Sequence, residues 1–450
     1  MAGDLENTTG TADTDWAAWI RERTEPAEVY KRPEALDDLR VVDVSSGSMA
    51  GVFCSSILAE WGAEVVRVEP PGGDVLRQFS PFGLEHGGTG LAYLVEGRNK
   101  FHITCNLQKK EGRDLLARLA ARADALIETF TPGRMDRWGI GYRQLAERNP
   151  RLVYAALSTY GQFGPKARRN AAKPDYDVAD QALSGLAYIT GEPAADPKHP
   201  QPYETPTKAG NWMGWYAQGA WAAFGILAAV NHRRASGRGQ CLDVSGAEAV
   251  MRFCEDMVTW YEKGQYVRPR LGVMDTAVSP YNFLRCKDGC QMLAGFSDVN
   301  FQALTTIIGR PELREDHRFK TFVKRAENRQ ALHHELERWT IQYTSQEILD
   351  KVQDYVLNKR GPGIVATGRV NSPAETFAEG HWWERGSLMT VEDPVYGELP
   401  MQGQPWKATG TPPRMKWACR SPGADNAHIY LRHLGIGRRA LAALHKRGVV

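Results

Sequence analysis

The chain has 450 residues, enough for two domains or one domain with a large insertion, and enough to bury a substantial core. Its 56 Lys and Arg residues nearly balance its 53 Asp and Glu residues, which leaves a net charge of +3. No basic run dominates, so nucleic acid is not expected as a partner. Seven scattered cysteines and no recognisable secretory signal favour a reduced, cytoplasmic setting.

The first part of the chain changes from a polar arm to an α/β pattern. Residues 1–38 are polar and predict a partly ordered arm. Short β-branched runs then predict four buried parallel strands, at Val41–Ser45, Glu64–Val68, Ala125–Ile127 and Leu152–Ala155. Helical spacing at Met49–Trp61 and Lys110–Arg122 separates some of these runs. This alternation predicts a doubly wound sheet.

An uncharged run, Trp212–Val230, is long enough to raise the question of a membrane span. The run is rich in Gly and Ala, contains Gln218, and has no second apolar span to accompany it. It therefore predicts a buried helix, closely approached by another backbone, and no membrane association.

The later part of the chain has a different character. Val278–Leu293 predicts a hairpin, Phe301–Lys359 is mostly helical in pattern, Trp382–Trp406 is strand-like, and Arg420–Val450 is helical again. Cys286 and Cys290 flank a hairpin-turn signal, so they are predicted to be cross-strand neighbours. No second cysteine pair or nearby histidine accompanies them, and no metal site is expected.

Several short motifs follow one another in a recognisable order: Gly62–Asp74, Arg98–Lys100, Glu128–Gly133, Tyr160–Pro165, Pro206–Gly219 and Gly237–Gln240. Together they resemble family III CoA-transferases, the group that includes formyl-CoA transferase and carnitine CoA-transferase. The longest of them, GAEVVRVEPPGGD, is the strongest signature. The resemblance covers the chain from about Leu39 to its C-terminus.

The resemblance implies a fold and a division into domains. We expect an α/β architecture with a Rossmann-like doubly wound large domain, a smaller α+β domain, and two subunits interlocked as threaded rings. The implied boundaries are an arm at 1–38, the first part of the large domain at 39–262, the small domain with its linkers at 263–380, and a segment rejoining the large domain at 381–450.

In this family CoA moves from an acyl-CoA to another acid by way of an aspartate nucleophile. The aspartate attacks the thioester, CoA returns to form an aspartyl thioester, and the acceptor acid repeats the exchange, which splits one difficult step into easier ones. The family segment reads roughly PTKVG-x-P-x-x-D-x-x-x-G, and its match to Pro206–Gly219 puts Trp215 at the aspartate position. Tryptophan has no carboxylate, so no catalytic residue is expected in this chain.

Two other acids precede a helical pattern, Asp175 and Asp177. A carboxylate at that place typically caps the helix by accepting its free N–H groups, which is the interpretation that we favour for both residues. A self-sufficient enzyme that uses Asp177 as its nucleophile remains an alternative.

Coenzyme A, as the acyl-CoA substrate, requires donors for its phosphates and an apolar slot for adenine. The loop residues Ser46, Gly47, Ser48 and Met49 lie between a predicted strand and helix, where doubly wound folds bind ligands. The resemblance adds Thr129, Phe130, Thr131 and Arg137 as CoA contacts. Two departures from the family pattern, Pro70 and the run Asn99–His102, affect places where family members carry adenine or phosphate contacts.

One heteromeric member of the family pairs a subunit that has the aspartate with a subunit that lacks it. We expect this chain to be the subunit that lacks the aspartate. It would act with a homologous aspartate-containing subunit on succinyl-CoA and an aryl-substituted dicarboxylic acid. A non-enzymatic subunit that binds CoA or only supports assembly is the further alternative.

Overall fold

The structure, a computed structural model, describes residues 15–170, 172–196, 205–255, 257–358 and 361–450. It contains two compact units. The larger comprises 15–186, 208–255 and 380–450, and the smaller includes 187–207 and 256–379. The division proposed from the sequence placed 187–207 in the large domain, and treated the residues before 39 as a separate arm.

The larger unit is built on a six-stranded parallel sheet, whose strands run in the order β3-β2-β1-β4-β5-β6. The strands are β1 Arg40–Asp43, β2 Glu64–Glu69, β3 Lys100–Thr104, β4 Ala125–Glu128, β5 Val153–Ser158 and β6 Cys241–Ser245. This order is that of a doubly wound dinucleotide-binding fold. The predicted α/β class and the four predicted strands are confirmed, with ends that differ by no more than three residues.

Helices cover both faces of this sheet. They include α1 Met49–Glu60, α2 Lys110–Ala120, α3 Asp177–Ser184 and α4 Met213–Ser236, and α5 Gly246–Met251 follows β6 directly. Further helices are Asp15–Thr24, Leu91–Glu96, Arg134–Arg137, Tyr142–Arg148, Pro165–Arg169, Leu186–Ile189, Gly380–Glu384, His428–His433 and Arg438–Lys446. Two-stranded pairs form at Glu85–His86 with Thr89–Gly90 and at Leu388–Asp393 with Gly397–Gln402.

The uncharged run lies within α4, as predicted for a buried helix. A Cβ atom on Gly219 would lie 2.5 Å from the carbonyl oxygen of Ala50, so only glycine allows α1 and α4 to cross this closely. Within the described residues, no helix is both long and apolar enough to cross a membrane. Alternate residues of β1 contribute to the cores on opposite faces of the sheet, Val41 on the α1 and α4 side and Val42 on the α2 side.

The smaller unit contains an antiparallel sheet, order β9-β8-β7, with strands β7 Tyr281–Cys286, β8 Gly289–Ala294 and β9 Ala366–Arg369. Helices cover it at Met257–Gly264, Asp298–Ile307, Phe322–Glu327, Arg329–Thr340, Ser345–Leu357 and Pro373–Ala378. The predicted hairpin is confirmed. The prediction that Cys286 and Cys290 are cross-strand neighbours is wrong, because the register pairs Cys286 with Gly289 and Cys290 with Arg285.

Candidate functional site

Two loops meet at the carboxyl ends of β1 and β4, the neighbouring strands where the winding of the sheet reverses. The Thr129 hydroxyl joins them, because it accepts a hydrogen bond from the Ser46 N–H at 2.9 Å and donates one to the Ser46 carbonyl at 3.1 Å. Gly47 has a φ of +70°, which favours glycine at the loop's turn. Doubly wound folds bind ligands at such a switch point.

The structure separates the predicted CoA contacts into different environments. Ser46 and Gly47 are partly exposed, whereas Ser48 and Met49 are buried. Ser48 accepts a hydrogen bond from the Ala50 N–H at 3.3 Å and so caps α1, and Met49 belongs to the core. Arg137 is exposed at the end of the short helix Arg134–Arg137. Therefore only some of the predicted CoA contacts have side chains that are accessible to solvent.

Phe130 and the Thr129–Thr131 loop are held by a buried acid that the sequence did not single out. Glu128 accepts a hydrogen bond from the Phe130 N–H at 2.6 Å and another from the Tyr154 hydroxyl at 3.2 Å. Burial raises the pKa of Glu128 to about 8. Thr131 is buried, and Phe130 packs edge-on against Trp138.

Trp215 is the third residue of α4, and its side chain is only 4% exposed. The indole stacks on Phe79, with 6.2 Å between ring centroids, and Trp212 lies 5.9 Å from it. Its ring N–H is buried and has no acceptor at normal hydrogen-bond geometry in the described part of the chain, but it lies near enough to Asp175 to help lower the pKa of that carboxyl group. Position 215 is therefore filled by a large apolar side chain in the core.

Asp177 begins α3, but its carboxylate caps a different helix. One oxygen accepts hydrogen bonds from the N–H groups of Gly214 and Trp215, at 2.7 and 3.4 Å, and the other accepts from Gln181 at 2.9 Å. The prediction that Asp177 caps the helix it precedes is wrong, because the free N–H groups it satisfies belong to the start of α4. One oxygen thus holds the start of α4 at position 215, and the other is occupied by Gln181.

Asp175 is also not a helix cap. It accepts hydrogen bonds from the hydroxyls of Ser48 at 2.7 Å and Thr159 at 3.0 Å, and so joins the loop after β1 to the end of β5. Burial raises the pKa of Asp175, while these hydroxyls and the indole of Trp215 partly oppose the rise. The carboxyl group is 4% exposed.

Asp180 completes a cluster of buried carboxyl groups, and no sequence motif pointed to it. Its side chain is inaccessible, and neither oxygen has a hydrogen-bond partner among the described residues. Burial and the neighbouring charge of Asp175 raise the pKa of Asp180 to about 9, so this group is uncharged at neutral pH. A Cβ atom on Gly246 would lie 2.4 Å from its carboxyl carbon, so only glycine leaves room for the acid.

A second buried network comes from the strongest sequence signature, Gly62–Asp74. The Arg67 guanidinium contacts Asp43 at 2.9 Å and Asp74 at 3.3 Å. It also donates a hydrogen bond to the Ser45 hydroxyl at 2.8 Å, which fixes the start of the loop after β1. This signature therefore supports the candidate site rather than lining it.

The same network continues along the next strands. Glu69 pairs with Arg77 and with His102, each at 2.7 Å. The pKa of His102 is raised to about 9 because the nearby Cys419 and Glu69 together outweigh the effect of burial.

The run Asn99–His102 departs from the family pattern at Phe101 and His102; His102 is buried, and so is Lys100, which matches the pattern. Lys100 donates a hydrogen bond to the Val52 carbonyl at 2.6 Å, and burial lowers its pKa to about 8. Their side chains therefore serve the core and do not face a ligand. Across the described residues, no three His, Cys, Asp or Glu side chains converge as a metal site would require.

Comparisons with known proteins extend over most of the chain. Residues 36–426 match the sequence pattern of a family described as CoA-transferase family III. A succinyl-CoA–D-citramalate CoA-transferase of Chloroflexus aurantiacus is 33% identical over 93% of this chain and 98% of that protein. The alpha subunit of succinyl-CoA–L-malate CoA-transferase from Chloroflexus aurantiacus is 33% identical, over 92% of each chain.

Two further comparisons agree with these. The beta subunit of the same L-malate enzyme is 29% identical, over 92% of this chain and 98% of that subunit. A crystal structure of a CAIB/BAIF family protein from Brucella suis matches with a TM-score of 0.73 at 28% identity, over 88% of this chain and 98% of that one. The chain described here belongs to CoA-transferase family III.

Proposed function

We propose that this chain is the non-nucleophilic subunit of a heteromeric CoA-transferase, whose partner is a homologous subunit that supplies the catalytic aspartate. The enzyme moves CoA from succinyl-CoA to an aryl-substituted dicarboxylic acid such as (R)-benzylsuccinate. The observation that carries this proposal is Trp215, a buried indole at the position where the family places its nucleophilic carboxylate. An indole cannot form the mixed anhydride that the family reaction requires.

The nearby carboxyl groups do not offer an obvious replacement. Asp177 holds the start of α4 with one oxygen and accepts from Gln181 with the other, and Asp175 uses both oxygens to join two loops. Asp180 is uncharged at neutral pH and inaccessible. A nucleophilic carboxylate must be ionised and must reach the thioester carbon, and none of these three meets both conditions. This argues against a self-sufficient enzyme that uses Asp177.

The named activities of relatives support the donor and the class of acceptor. Similar proteins are named as succinyl-CoA transferases for D-citramalate, mesaconate and L-malate, all of which are dicarboxylic acids. Two of the relatives are named as alpha and beta subunits of one enzyme, which supports pairing between homologous chains. We propose for this chain the interlocked-ring arrangement that the family resemblance implies.

The aryl acceptor rests on the resemblance to one heteromeric family member, the succinyl-CoA:(R)-benzylsuccinate CoA-transferase of anaerobic toluene degradation. Its non-nucleophilic subunit also lacks the aspartate. The aromatic side chains at the start of α4, Trp212, Trp215 and Tyr216, are compatible with an apolar surface for an aryl group.

We further propose that the loops at the switch point contact CoA. The reachable candidates are Ser46, Gly47, Phe130 and Arg137, with Ser48, Met49, Thr129 and Thr131 supporting them from inside. Arg137 is exposed and provides a positive charge that suits a phosphate group.

The first test is isotope exchange by the purified chain alone. It is incubated with succinyl-CoA and labelled succinate, and the label that enters the thioester is measured. We expect no exchange alone and exchange after a homologous aspartate-containing subunit is added. Circular dichroism and thermal unfolding of the same sample establish that the chain is folded. Exchange by the chain alone would show that it has its own nucleophile, and the proposal would fail.

A second experiment separates a CoA-binding subunit from one that only supports assembly. In the two-subunit complex, Arg137→Gln should raise the KM for succinyl-CoA, because a contact with a CoA phosphate is lost. Arg143→Gln removes an equally exposed arginine nearby and serves as the matched control. An unchanged KM in both variants would favour the assembly role.

A further inference from the structure

A cavity of about 580 Å³ opens in the larger unit, at the side of α4 that carries Tyr216. Its walls are mostly apolar and include Phe53 of α1, Leu91, Ala92 and Val95 of one short helix, and Pro405. The Phe53 and Tyr216 rings meet edge to face, with centroids 4.7 Å apart. Volume and lining are those of a small-molecule or side-chain pocket.

One acidic side chain in this cavity has an oxygen that lacks a hydrogen-bond donor. Glu96 lines the cavity and is 5% exposed, and its Oε2 atom is buried without a hydrogen-bond donor among the described residues. The adjacent cations are used elsewhere, because Arg98 pairs with Glu60 at 2.7 Å and Lys100 donates to the Val52 carbonyl at 2.6 Å. A buried carboxylate without a close cation is costly.

The remaining polar groups of the wall complement this acid. Burial and the nearby Glu96 raise the pKa of the Tyr216 hydroxyl, which therefore stays protonated and can donate a hydrogen bond. The side chains of Gln402 and Gln404 add amide groups at the rim. The cavity thus combines aromatic and aliphatic walls with Arg98, which is already paired with Glu60, and with the Glu96 carboxylate, which forms no ion pair among the described residues.

We propose that this cavity binds a cationic group carried on an apolar stem, an alkylammonium or alkylguanidinium. The cation pairs with Glu96, and the stem lies against Phe53 and Tyr216, where ring faces also attract positive charge. Such a group comes either from a free organic cation or from a Lys or Arg side chain of a neighbouring chain. The inference does not rest on the proposed transferase role.

Isothermal titration calorimetry of the purified full chain tests it, with benzylguanidine as the cationic probe and benzyl alcohol as an uncharged counterpart. We expect benzylguanidine to bind at least about tenfold more tightly than the alcohol, as for loss of one charge-assisted hydrogen bond. Glu96→Gln should remove that preference. Glu147→Gln, which changes an exposed glutamate outside the cavity, should leave it intact.

A second variant keeps the test decisive if Glu96→Gln unfolds. Ala92→Trp fills the cavity without changing its charge, and should abolish binding of the cationic probe. Thermal unfolding of each variant establishes that the chain is folded. No binding of benzylguanidine, equal binding of both probes, or undiminished binding by Ala92→Trp would each overturn the proposal.

Sedimentation velocity distinguishes the two sources of the cation. If saturating benzylguanidine lowers the association state of the purified chain, the natural occupant is a side chain of a neighbouring chain. If the probe binds without any change in sedimentation, the site is open to free organic cations. Both results support the proposed chemistry and differ only in where the cation comes from.

Discussion

Two clusters of buried charge lie at the carboxyl edge of the same parallel sheet, and they differ in whether cations are present. At the ends of β1 to β3, carboxylates meet arginine and histidine: Asp43 and Asp74 pair with Arg67, and Glu69 pairs with Arg77 and His102. At the start of α3, three carboxyl groups lie near one another, and hydroxyl, amide and N–H groups supply their only hydrogen bonds in the described structure.

This difference indicates that the first cluster is a structural scaffold and that the second cluster belongs to the candidate functional site. In the first cluster each carboxylate is paired with a cationic side chain, and these ion pairs fix the position of the loop after β1. The second cluster lies beside position 215, which we propose as the family's nucleophile position on the motif match, and here burial, with neighbouring carboxylates as a smaller cause, raises the pKa values of Asp175 and Asp180. Groups with perturbed pKa values near a cleft mark functional sites more often than scaffolds.

The largest expected effect comes from breaking the compensated cluster. Arg67→Met leaves Asp43 and Asp74 buried without their cation and should lower the free energy of unfolding by about 3–5 kcal/mol. Urea denaturation followed by tryptophan fluorescence measures the change. Arg439→Met, on an exposed position of the last helix, should alter it by less than about 0.5 kcal/mol. Similar losses in the two variants would contradict the scaffold role.

The next effect is the loss of the cap that Asp177 provides for α4. Asp177→Ala removes the acceptor for the N–H groups of Gly214 and Trp215 and should cost about 1–2 kcal/mol of unfolding free energy. Asp177→Asn keeps one oxygen as an acceptor and should cost less. If Asp177→Ala and Asp177→Asn lower the free energy of unfolding equally, the charge of the carboxylate contributes more than its hydrogen bonds.

Asp180→Asn should instead stabilise the protein, and more so as the pH rises. The folded state holds a proton on Asp180 up to a pKa of about 9, whereas an ordinary aspartate releases it near pH 4. Between these values the folded state binds more protons, so this group lowers stability progressively as the pH rises. Asparagine does not titrate, so the stability of the Asp180→Asn variant does not decrease with pH in this way.

We expect the free energy of unfolding of Asp180→Asn to exceed that of the parent protein by about 1 kcal/mol or more at pH 8, and by less at pH 5. Urea denaturation at the two pH values gives both differences. Asp37→Asn, at an exposed position, is the matched control and should show neither. A gain that does not depend on pH would mean that Asp180 is ionised in the folded protein.

Much of the larger sheet was predictable because its central strands are β-branched and buried on both faces. Strand β3 was not predicted, since Lys100 and His102 interrupt its apolar pattern with side chains that find buried partners. Strand β6 was missed because it alternates exposed and half-buried residues in the manner of an edge strand.

The candidate site was predictable only in part. A motif match located position 215 and the loops near it. Asp180 and Glu128 became visible only in three dimensions, because burial and distant partners give them their properties. The hydrogen bond between Ser48 and Asp175 joins residues separated by 127 positions, and no local pattern indicates such a contact.

The smallest expected effect is that of restoring a carboxylate at position 215. Trp215→Asp puts an acid beside Asp175 and Asp177, in a place where the present side chain is 4% exposed. Like charges and burial would raise its pKa and leave it largely protonated, so we expect almost no exchange of labelled succinate into succinyl-CoA by this variant alone.

The double variant Asp175→Gly, Trp215→Asp removes one of the two repelling charges and should exchange measurably more label than Trp215→Asp. The family pattern that the segment Pro174–Asp177 resembles accepts either Gly or Asp at position 175, so this change respects the local fold. Equal, substantial exchange in both variants would mean that Asp175 does not suppress a nucleophile at position 215. The carboxyl cluster would then be a scaffold like the first, and the loss of the nucleophile would reside in Trp215 alone.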